Sequence, residues 1–169
     1  MAVLNPHHLL EQARALVRLY PGRKPRQVEL RRAISAAYYA VFHRISNAVA
    51  DEFIGGKFRN DPRHASFYRS VDHKQAKTRC EEVTNQNPAS KYARYSHCRP
   101  LAQDIKTFAN AFPLLQSKRH EADYDPSITL TTIEAVSVID HAERAIAAFD
   151  AAPAEDRKLF LTYLIFPPR

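Results

Sequence analysis

Glycine is nearly missing from this chain, with three residues in 169. Glycine supplies the positive backbone angles that tight β-hairpin turns need, so an architecture of many short strands is disfavoured. Long apolar runs are missing too: none approaches the ~18 residues required to cross a bilayer. The opening "MAVLNPHHLLEQARALVRLY" lacks a basic segment followed by an apolar stretch, as a secretory signal would have. The expectation is a cytoplasmic protein without membrane contact. The two cysteines, Cys80 and Cys98, form no CxxC pair and read as reduced packing residues. The eight histidines form neither HxxxH nor HExxH, so no metal site is expected. There is no glycine-rich phosphate loop, no GxSxG elbow and no recognisable Ser-His-Asp spacing. Those absences set aside P-loop, α/β-hydrolase and zinc-peptidase chemistry, and no cofactor is implied.

What is present is positive charge, unevenly spread. The net charge is +7, with +12 carried by residues 1–119 and −5 by residues 120–169. A basic body with an acidic end suits a polyanion such as RNA, an acidic partner, a head-to-tail self-contact, or ordinary solvated helix faces.

The apolar residues recur at helical spacing. Asn5-Pro6 is a cap followed by proline, opening a helix with Leu9, Leu10, Ala13, Leu16, Val17 and Tyr20 on one face. Leu30, Ile34, Ala37, Tyr38, Val41, Ile45, Ala48 and Val49 predict a second helix, ended by Gly55-Gly56. Its polar side carries Arg31, Arg32, Ser35, Tyr39, His43 and Asn47. Asp61-Pro62 predicts a basic helix running to about Val83, followed by a loop at residues 84–90. From Leu101, the residues Ile105, Phe108, Phe112 and Leu115 mark another helix, with Pro113 as a possible kink. Asp125-Pro126 ends it near Tyr124. Thr131 and Glu134 form a capping box for the last main helix, and a short helix follows Pro153. The expected fold is all-α, an up-and-down bundle of about five helices in one domain over residues 1–169. Its core spans about 5–150, and residues 151–169 form an apolar extension that needs cover, either from the bundle itself or from a second protomer.

Two segments carry candidate chemistry. In "LRRAISAAYYAVFH" (30–43), the small residues suit close helix packing, while Arg31, Arg32, Ser35 and Tyr39 form a polar strip. In "SKRHEADYDP" (117–126), Arg119 and Asp123 share one helix face, and His120 and Tyr124 share the next. Either Arg119–Asp123 pins a helix end, or Arg119 neutralises a phosphate while His120 or Tyr124 moves a proton.

Taken together, "LRRAISAAYYAVFH" and "RHEADYD" (119–125) resemble the HEPN family of small α-helical proteins from bacteria and archaea. The resemblance implies a four- or five-helix bundle, usually a homodimer, with its site at the dimer cleft. Many members are metal-independent ribonucleases, often toxins paired with a nucleotidyltransferase antitoxin; others bind nucleotides, RNA or protein partners. The family site is an arginine followed by a histidine. Arg119 matches the arginine, but Tyr124 stands where the histidine would be, and no histidine occupies 124–126. The expectation is therefore a noncatalytic domain binding RNA, a nucleotide or a protein partner through Arg119, Arg31, Arg32, Ser35, Tyr39 and Asp123. The alternative is a metal-independent ribonuclease using Arg119, His120 and Tyr124.

Overall fold

The computed structural model describes residues 4–18, 23–97 and 99–168; Tyr20 and Cys98 lie outside them. The described residues form eight α-helices and no strand. The all-α expectation stands, with more helices than the five or so expected.

α1 (Pro6–Leu16) starts where Asn5 accepts a hydrogen bond from the His7 N–H at 3.0 Å. α2 (Gln27–Phe53) is the central element. Its predicted stripe is buried, with Leu30, Ile34, Ala37, Tyr38, Val41, Ile45 and Val49 each at most 2% exposed. It ends at Gly55, whose φ of +103° disfavours any L side chain. A 3₁₀ turn (Gly56–Phe58) leads to α3 (Pro62–Arg69), α4 (His73–Thr84) and α5 (Lys91–Tyr95). α6 (Gln103–Tyr124) runs through Pro113 and stops at Tyr124, ahead of Pro126. α7 (Thr132–Ala151) opens with the Thr131–Glu134 capping box, and α8 (Ala154–Ile165) follows. α2 packs against α1, α3, α6, α7 and α8, while α6 also packs against α4, α7 and α8.

Two expectations need correcting. The basic helix from Pro62 to Val83 is two helices. Asp72 breaks it by accepting from the Lys74 and Gln75 N–H groups at 3.0 and 2.9 Å, a new N-cap that fixes the start of α4 at His73. Asn47, placed on the polar side of its helix, is buried, its amide donating to the Leu4 carbonyl at 3.3 Å. The apolar C-terminal stretch finds its cover in the bundle, one of the two covers expected for it. Phe160, Leu161, Tyr163 and Leu164 are core residues of α8, covered by the bundle itself. Buried Asp156 ties this helix to the chain before α6, accepting from Arg99 at 2.6 Å and from the Ala102 N–H at 2.8 Å. Among the described residues, no helix is long and apolar enough to cross a membrane.

Candidate functional site

The two segments singled out in the sequence meet where α2 crosses α6. Tyr38 points into the core and Tyr39, one residue on, lies at its margin. The Arg119 guanidinium sits over both, 5.2 Å from the Tyr38 ring centre and 5.7 Å from that of Tyr39. A third ring, Tyr124, lies 5.8 Å away on the next turn of α6. The electron-rich ring faces partly replace the water this cation has lost, for its side chain is only 12% exposed.

Hydrogen bonding around Arg119 is incomplete. Its Nη1 reaches Asp123 Oδ2 at 3.4 Å, the same oxygen that Ser35 Oγ approaches at 3.4 Å. Tyr38 and Tyr124 add weaker polar contacts to the guanidinium, but Nε, buried without an acceptor, has lost its solvation and gained nothing in return. A 530 Å³ groove lined by Arg31, Asp123, Tyr124 and Pro126 opens beside the cluster.

Two histidines that sequence reasoning leaves out of the site complete its far wall. His73, at the first turn of α4, stacks on Phe42 at 3.8 Å and shares a 2.6 Å hydrogen bond between Nδ1 and the Tyr38 hydroxyl. His43, one turn beyond Tyr39 on α2, stacks on Tyr39 and joins the Tyr68 hydroxyl through its Nδ1. Burial lowers both imidazoles below the ordinary histidine range. Arg119 adds to the effect at His73, against an opposing pull from Asp72, and His73 adds to it at His43. Both are therefore mainly neutral at pH 7. Each commits Nδ1 to a phenol, which leaves Nε2 as the nitrogen available to a ligand.

The other expected residues divide. Ser35, Tyr39, Asp123 and Tyr124 are brought to Arg119. His120 is on the outer face, its ring 4.9 Å from that of Tyr124. Tyr124 is 65% exposed and leaves this side of the cluster open. Arg32 is exposed beyond the cluster. Arg31 lines the adjoining groove and also holds the fold together. Its Nη1 donates to the Ala122 and Asp125 carbonyls at 2.7 and 2.9 Å, and its Nη2 to the Ile128 carbonyl at 2.6 Å. These bonds satisfy carbonyls at and beyond the C-terminal end of α6, where the helix itself offers no donors. Arg31→Ala should therefore destabilise the fold by about 2–3 kcal/mol, whereas Arg32→Ala should change it by less than about 0.5 kcal/mol. Urea titration of both variants checks the contrast, and equal midpoints would remove the capping role.

Among the described residues, no group of three His, Cys, Asp or Glu side chains is placed to hold a metal ion. No family model, no curated protein and no solved structure matches this chain.

Proposed function

We propose that this is a HEPN-like helical protein that binds RNA or a nucleotide at the Arg119 cluster, in a cleft formed with a second copy. The observation that carries the reading is the half-buried Arg119 guanidinium, lying over three tyrosine rings with its Nε unpartnered. A cation suited to a phosphate, set beside half-buried and exposed aromatic faces, is the combination that binds single-stranded nucleic acid. The net charge of +7 adds long-range attraction for the same ligand. The resemblance of the α2 and α6 segments to HEPN proteins points the same way.

A second reading, metal-independent RNA cleavage, gains from His73 and His43. They supply the imidazoles that the sequence lacks beside Arg119. In that scheme one imidazole takes the 2′-hydroxyl proton as the 2′-oxygen attacks phosphorus. The imidazolium so formed then gives that proton to the leaving 5′-oxygen, and Arg119 offsets charge on the phosphate.

One experiment separates the readings. Labelled single-stranded RNA is mixed with the purified protein in EDTA at rising salt, and both binding and chain length are followed. Binding that weakens steeply with salt, with RNA left intact, supports the binding role. Cleavage by the parent protein but not by His73→Ala makes the site catalytic. Absence of both at low salt overturns the reading, and a monomer at assay concentrations removes the shared cleft.

A further inference from the structure

The Arg119 cluster lies near the C-terminal end of α6; the opposite end of the same helix borders a separate cavity. This half-open pocket has a volume of 460 Å³ and is bordered by the 85–90 loop, α5 and the first turns of α6. That is within the range of pockets holding small ligands, ~300–1,000 Å³. Lys106 and Arg99 line it together with the amides Asn85, Gln103 and Asn110, and no carboxylate is among the lining residues. Lys106 is half-buried and has no ion pair among the described residues.

Two independent features point to a ligand. The first is the start of α6. Ala102 provides no side-chain cap, so the N–H groups of residues 103–105 lack intrahelical acceptors and carry the positive end of a 22-residue helix dipole; Asp104 in the same turn offsets part of that charge but does not line the pocket. Asp156 takes the preceding Ala102 N–H and is itself paired with Arg99, so its charge is already compensated. The second is Tyr92. The residue is 5% exposed, and its buried hydroxyl makes no hydrogen bond of good geometry, with Ser96 in weaker reach. Burial pushes this phenol up to about 12, so it remains an O–H donor at neutral pH. A buried donor is ordinarily satisfied, and this one lines the pocket that the α6 N-terminus also faces.

We propose that this pocket binds a small phosphate ester. The phosphate lies at the α6 N-terminus between Lys106 and Arg99. The polar body of the ester lies along Asn85, Gln103 and Asn110, and the Tyr92 hydroxyl donates to one of its oxygens. Lys106 and Arg119 are separated by about 20 Å along the helix, at 1.5 Å per residue. The two sites are therefore distinct, and the ester pocket stands whether or not Arg119 binds RNA.

Isothermal titration of the full chain tests it with three probes: inorganic phosphate, glucose 6-phosphate and adenosine 5′-monophosphate. An ester should bind with a Kd below about 1 mM. Lys106→Gln should weaken it by about tenfold and Tyr92→Phe by about fivefold, as expected for a charged and a neutral hydrogen bond. Tyr92→Phe should melt no lower than the parent, because it removes a hydroxyl without a good hydrogen bond. Arg119→Ala should leave ester affinity unchanged. Which ester binds distinguishes a sugar from a nucleotide source. Binding of inorganic phosphate without either ester overturns the assignment. So does absence of heat up to about 10 mM, or an ester affinity that follows Arg119 and ignores Lys106 and Tyr92.

Discussion

Arg119→Ala should bind single-stranded RNA at least tenfold more weakly than the parent protein, and Arg119→Lys should recover little of the loss. A charge-assisted hydrogen bond to phosphate contributes about 1.5–3 kcal/mol, and each 1.4 kcal/mol is a factor of about ten in affinity. Lysine keeps the charge but not the geometry. A flat guanidinium can lie across the Tyr38 and Tyr39 rings while directing N–H groups outward; an ammonium is a strongly hydrated point charge, costly to hold in so dry a site. Full rescue by lysine would reduce the site to a surface charge. Undiminished binding by alanine would reduce it to a helix-packing contact. pH gives a second readout. The Arg119 charge contributes to the lowered His73 value, so a phosphate seated on Arg119 raises that value again. Binding then takes up a proton, and affinity should rise as pH falls from about 8 towards 6. In the free protein the sign is opposite. Near pH 6 the unfolded chain holds more protons on these two histidines than the folded one, so their contribution to stability is lost as pH drops below about 6.5.

Much of this is readable from residues alone, and the limits have physical causes. The stripe from Leu30 to Val49 has helical period, and a buried helix face leaves that mark because every turn must present an apolar side chain. Asn5-Pro6, Gly55 and Thr131–Glu134 sit at helix ends because they satisfy or release specific backbone groups, and such needs are local. The meeting of Arg119 with Tyr38 and Tyr39 is not local. Only a resemblance that places the two segments in one site anticipates it. His43 has a local signal: it lies one turn beyond Tyr39 on the same face. His73 has none, because its position depends on Asp72 ending one helix run and starting another inside a stretch of uniform basic character. Arg31 is hard to read for a related reason. Its partners are main-chain carbonyls of Ala122, Asp125 and Ile128, and carbonyls leave no trace in the identity of the residues that bear them.

Phe160→Ala should be among the most damaging single truncations in the chain, with a loss of about 3–5 kcal/mol. "LFLTYLIF" invites the view that the C-terminus is a loose apolar appendage awaiting a partner. The structure places Phe160 fully inside, its ring 5.9 Å from Phe108 and 6.4 Å from Phe149, which are themselves 5.0 Å apart. Alanine would leave a cavity bounded by two rings on different helices, α6 and α7, neither of which can move without dragging an element of 20 residues or more. Cavities of that kind collapse poorly, and the cost approaches the upper end of the range. For a domain of this size the melting temperature should fall by about 10 °C. Phe166 gives the internal comparison. It is 55% exposed and touches Phe53 edge-on at 5.6 Å, so Phe166→Ala should cost no more than about 1 kcal/mol. Urea titration of the pair decides: similar small losses would return α8 to the status of an appendage. RNA affinity, measured well below the melting range, should be the same for Phe160→Ala as for the parent. Phe160 rests against Phe108, which is about 16 Å from Arg119 along α6, at 1.5 Å per residue. A loss of affinity without unfolding would mean that α8 helps hold α2 and α6 in register at the candidate site.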